Sequence, residues 1–92
     1  MPFTLVTTVK IEDVDKARDG LHSQVIPGVK QAPGFVHGTW SADREAGRGI
    51  GFVVFDTREN AEAAKQFMLT QGPLPPGVTF DNAAIYEVQG EA

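Results

Sequence analysis

The run "IGFVVFD", Ile50 to Asp56, is apolar on both sides of an extended chain. A strand alternates faces, so Ile50, Phe52 and Val54 point one way while Val53 and Phe55, with Gly51 beside them, point the other. The density of β-branched and aromatic residues makes a strand the expected state. Helices can cover one side of such a sheet but not both, and a second apolar side left in water would be a large patch for a soluble monomer. The run thus predicts a layered domain in which each face of a central strand has a neighbour.

The remaining segments supply the layers. "FTLVTTVKI", Phe3 to Ile11, reads as a first strand with Phe3, Leu5, Thr7, Val9 and Ile11 on one face. From Asp13 the spacing becomes helical, with Val14, Ala17, Leu21, Val25 and Val29 at intervals of three or four. The acids Glu12, Asp13 and Asp15 suit the positive N-terminus of that helix rather than a metal. Gly20 costs a helix interior about 1 kcal/mol against Ala, and Pro27 removes a backbone donor, so a kink or break is expected between Ile26 and Gly28. "APG" ends the helix, and a second strand covers about Phe35 to Ala42.

"SADREAGRG" reads as the loop of a hairpin between strands two and three. In "DTRENAEAAKQFM", Asp56 or Thr57 caps a second helix whose inner face carries Ala61, Ala64, Phe67 and Met68. "TQGPLPPG" cannot continue that helix, and a fourth strand follows over about Val78 to Val88, before a frayed "QGEA".

The order is β-α-β-β-α-β, which predicts an α+β, ferredoxin-like sandwich over residues 1–92: an antiparallel sheet with both helices on one face. Its second face calls for another sheet, most simply from an identical chain, so a homodimer is expected. With no cysteine, neither disulfides nor a thiolate site is available. The net charge is −4 and the cations are spread along the chain, which argues against a phosphate-tracking surface and hence against nucleic acid. The longest apolar run, "FVVF", is far too short to span a membrane and no signal-peptide pattern is present, so the cytoplasm is the default location.

"APGFVHGTW", "VVFDTRENAEAA" and the closing "AIYEV" together resemble the dimeric α/β-barrel proteins that include the antibiotic-biosynthesis monooxygenases. The resemblance implies two ferredoxin-like sheets packed face to face as a barrel, with a pocket in each subunit between its sheet and its helices. Activities in that family run from cofactor-independent oxygenation of polyphenols to heme degradation. The heme-degrading branch would need a tryptophan where this chain has Phe55, an asparagine on a first strand that offers Thr4, Thr7 and Thr8, and a histidine on the second helix, where there is none. No cofactor and no metal are therefore expected. The residue types used by the cofactor-free oxygenases occur here as Asn82, Trp40, Tyr86 and Arg48, without matching motif positions.

The expected pocket walls are Trp40, Val53, Phe55 and Phe67, around a small aromatic or otherwise apolar ligand. His22, Asn82 and Tyr86 are the candidate polar contacts, with His22 and Tyr86 as candidate catalytic groups. Pairing Trp40 with Gly51 puts the indole on the Val53 and Phe55 side, whereas strand alternation sends His37 to the opposite face along with Phe35 and Thr39. A rival expectation is a non-catalytic binding or assembly domain whose own side chains fill the pocket.

Overall fold

The computed structural model of the chain describes residues 1–70, 72 and 74–92. Four strands, β1 (Phe3–Ile11), β2 (Phe35–Asp43), β3 (Arg48–Phe55) and β4 (Val78–Glu87), form one antiparallel sheet in the order β2-β3-β1-β4. Helical segments α1 (Val14–Gly20) and α2 (Ile26–Lys30) lie between β1 and β2, and α3 (Arg58–Thr70) connects β3 to β4. This α+β arrangement is compatible with a ferredoxin-like sandwich. Gln71 and Pro73, in the stretch expected to end the second helix, lie outside the described residues. No helix among the described residues is long and apolar enough to cross a membrane.

Local chemistry explains the boundaries. Asp13 caps α1 by accepting from the backbone N–H of Lys16 at 3.1 Å, so one of the N-terminal acids has a structural task. Thr57 does the same for α3, accepting from the Asn60 N–H at 3.1 Å. Asp56 belongs to the same junction, where its carboxylate accepts from Asn60 Nδ2 at 2.8 Å and its N–H donates to Gly34 O at 2.9 Å. Gly34 has φ 77°, and a Cβ there would strike Asp56 and Asn60, so the turn before β2 is locked onto the start of α3.

The expected break at Pro27 takes a different form. The chain stays helical through Lys30, and a π-helical turn, Leu21–Val25, absorbs the defect upstream. The Ile26 N–H reaches back five residues to Leu21 O. Pro27, just beyond, lacks the N–H that a regular turn would use, and the wider turn relieves the crowding of its ring against the preceding carbonyls. Gly20, the other supposed defect, is buried where a Cβ would collide with the Pro75 ring, so its cost in helix propensity permits a close packing contact.

The core is small. Leu5, Val53, Phe55 and Ala61 form it, with Phe55 1 % exposed and Ala61 fully covered. Ala61 and Ala64 bring α3 down onto the sheet, as their size allows, while Val29 and Ala32 pack from the end of the other helical arm. Between these points the helices stand away from the strands.

Candidate functional site

The space between sheet and helices is a cleft of about 940 Å³. Its floor is the helix-facing side of the strands, where Leu5, Thr7, Val9 and Ile11 of β1 lie beside Trp40, Gly51, Val53 and Phe55. One wall is built from Val14, Leu21, Val25 and Val29, and the other from Asn60, Ala63, Ala64, Phe67 and Met68 of α3.

Trp40 is placed as the hairpin pairing predicts, opposite Gly51. Its ring lies flat over two glycines. A Cβ on Gly51 would stand 2.9 Å from indole Cδ1 and 2.8 Å from Thr7 Oγ1, and one on Gly38 would stand 2.8 Å from indole Cη2. Because the ring lies along the sheet instead of rising from it, Trp40 forms a floor and leaves the cleft open. Val53 and Phe55 line the same floor. Phe67 also lines the cleft, but as an outer lip: it is 57 % exposed rather than packed inward with Ala61.

The three polar candidates, His22, Asn82 and Tyr86, are not among the residues that line the cleft. His22 is exposed on the π-helical turn and does not line the cleft. A π-turn changes the angular position of each residue, so the spacing that placed His22 at the edge of a regular α-helical stripe does not apply. Tyr86 pairs with Thr4 and Asn82 with Thr8, on the side of the sheet away from the helices. Tyr86 is 57 % exposed there. Arg48, another residue type shared with the oxygenases, is opposite Lys10 on that same outer side.

Two bulges account for what alternation missed. In β4 the register shifts between Thr8 and Val9 of its partner, so that Asn82 faces Thr8, Phe80 faces Val9, and Asp81 is the extra residue. Asp81 accepts from Thr8 Oγ1 at 3.1 Å, within the strand. The shift turns Phe80 into the cleft while leaving Asn82 outside. In β2 the extra residue is Val36. Phe35 pairs with Phe55 and packs on the core, whereas His37 pairs with Val54 on the outer face. His37 and Trp40 are thus on opposite faces as expected, but Phe35 is with Trp40 and not with His37.

The cleft's charged lining residues, Arg18 and Arg44, were not anticipated. Arg44 Nη2 is 2.8 Å from Asp15 Oδ1, and Arg18 Nη2 is 3.6 Å from the same oxygen. The hydrogen bond from Arg44, followed by its charge, holds the Asp15 carboxyl below its ordinary range, and Arg18 adds a smaller effect in the same direction. This trio joins α1 to the β2–β3 hairpin across one end of the cleft. Gln24, Gln31, Asn60 and Thr7 add neutral polar groups. Among the described lining residues none is a histidine, carboxylate, tyrosine or lysine, so the cleft can hold an apolar body and satisfy a few polar groups, but it presents no side-chain base. Compared with protein-family models and with curated proteins, the chain matches none.

Proposed function

We propose that this protein binds a small apolar or aromatic molecule in the cleft between sheet and helices, without performing chemistry on it. The observation that carries this reading is an apolar cleft of about 940 Å³ that its own large side chains leave open. Ligand sites of about 300–1,000 Å³ with mostly apolar walls and a few polar groups are the usual case. Metal-free oxygenation, the activity implied by resemblance to the monooxygenase-like dimeric α/β barrels, requires a base to form a substrate anion. Arginine stays protonated and cannot serve as that base. The architecture of that group without its acid–base chemistry reads as a binder.

The same proposal includes a homodimer of the dimeric α/β-barrel kind, with the outer faces of two sheets packed together. Phe52 at 40 % and Val36 at 52 % exposed, with Ile50 and Ala84 beside them, support it, because a second copy would remove these groups from water.

The chain's single tryptophan lies on the cleft floor and gives a direct assay. Titration with 4-phenylbutan-1-ol, whose ring does not absorb where indole is excited, is expected to shift Trp40 emission saturably. An unresponsive Trp40 with the fold intact would overturn cleft binding. Light scattering at micromolar concentration tests assembly, with the mass of two chains expected and that of one chain opposing the dimer.

A further inference from the structure

We infer that the ligand of the cleft is an amphipathic anion, a carboxylate carried on an apolar body, whose head group is held by Arg18 and Arg44 at the α1 end. This rests on the cleft-binding reading and adds the chemical class of the ligand. The chain as a whole is acidic, with 12 Asp and Glu against 8 Lys and Arg. The cleft inverts that balance: the two ionisable residues among its described lining are both arginines.

Geometry makes the two arginines a pair. Both guanidinium groups approach one oxygen, Asp15 Oδ1, with Arg44 Nη2 donating to it at 2.8 Å and Arg18 Nη2 lying 3.6 Å away, so two cations flank a single carboxylate position. Asp15 neutralises one positive charge and leaves the other. Each guanidinium carries five N–H donors and one carboxylate cannot use them all, so donors remain for a second anion at the cleft mouth. Gln24 and Gln31 line the same cleft and supply neutral amide donors. Beyond this end the walls are mostly apolar, with Leu21, Phe80 and Trp40 among them, which suits the body of such a ligand, and the described lining offers a cationic head no carboxylate.

Three probes with one apolar body separate the possibilities: 4-phenylbutanoate, 4-phenylbutan-1-ol and 4-phenylbutylammonium, each titrated by Trp40 emission. The carboxylate is expected to bind about threefold to tenfold tighter than the alcohol, because charge-assisted bonds at an exposed mouth add modestly to the affinity. The ammonium is expected to be the weakest. Added salt lowers the carboxylate-to-alcohol ratio, since the mouth is open to solvent. The double variant R18A/R44A brings the ratio to about one, whereas R44K, which keeps the charge but loses the planar fork, retains part of it. D15N, which removes the competing carboxylate, raises the ratio. R18Q/R44Q preserves side-chain bulk and replaces the alanine pair if the latter fails to fold. Equal binding of carboxylate and alcohol, tightest binding of the ammonium, or a ratio unaffected by the double variant would overturn the inference while leaving cleft binding intact. Failure of all three probes to bind would overturn both.

Discussion

The two faces of this sheet are made from the same strands, yet they differ in how side chains use the surface. On the helix-facing side lie all three strand glycines, Gly38, Gly49 and Gly51. Trp40 and the Ile11 side chain spread over them instead of standing upright. The floor is therefore low, and the helices, held up at Ala61 and at Gly20 against Pro75, leave a cleft above it. The outer face has no strand glycine. Ile50, Phe52 and Val54 form a row down β3, flanked by Val6 and Ala84, with Phe52 40 % exposed and Val54 buried. The strand glycines thus lower the helix-facing floor, and the large cleft lies above them.

The largest test of this contrast compares two phenylalanines three residues apart. Phe55→Ala removes the largest fully buried side chain of the core and is expected to cost about 3–5 kcal/mol in urea denaturation. Phe52→Ala, on the outer face, is expected to cost about 1 kcal/mol or less in dilute protein. If two copies cover that face, the cost of Phe52→Ala grows with protein concentration, because dimer stability depends on it, whereas that of Phe55→Ala does not. Similar, concentration-independent costs at the two positions would erase the distinction between a core face and an interface.

Gly51→Val tests the low floor. Its new side chain would enter at 2.8 Å from Thr7 Oγ1 and 2.9 Å from the indole, so Trp40 must lift into the cleft. Overpacking of this kind costs about 1–3 kcal/mol. The expected signature is a shifted Trp40 emission together with weakened binding of 4-phenylbutan-1-ol. Unchanged ligand affinity would mean that the glycine does not shape the cleft.

The pairing of Trp40 with Gly51 was one of the registers the sequence allowed, because "SADREAGRG" reads as a nine-residue loop, whereas β2 and β3 extend into that segment and leave a short turn. Gly47, at φ 65°, and Asp43, which accepts from the N–H groups of Glu45 and Ala46 at 3.0 and 3.1 Å, close that turn. The face shared by Trp40, Val53 and Phe55 follows from that pairing. The face of β4 was not legible, because β4 pairs with the distant β1, and one extra residue, Asp81, exchanges which of Phe80 and Asn82 faces the helices. No periodicity announces such a bulge. His22 lies outside the cleft for a related reason, since a π-turn has no signature in apolar spacing beyond the proline that follows it. Arg18 and Arg44 are 26 positions apart, and only the folded hairpin brings both to Asp15.

The smallest expected effect concerns the ion pair at the helix-side mouth, a feature the outer face does not share. Arg44 lowers the Asp15 pKa below its ordinary value of 3.8, so the folded state favours the charged carboxylate more than the unfolded chain does. Stability from the pair is present above the unfolded value and is lost as pH falls through the lower folded value. Asp15 and Arg44 are exposed and screened by salt, so the loss is small. The thermal midpoint of the native chain should exceed that of D15N at neutral pH and low salt, and the two should converge as the solution is acidified below 3.8. A difference that persists into strong acid would show that Asp15 acts through something other than its charge. The outer face should show no matching dependence on position 15, because a pair that ties α1 to the hairpin holds the rim of the cleft and leaves the row from Ile50 to Val54 unaffected.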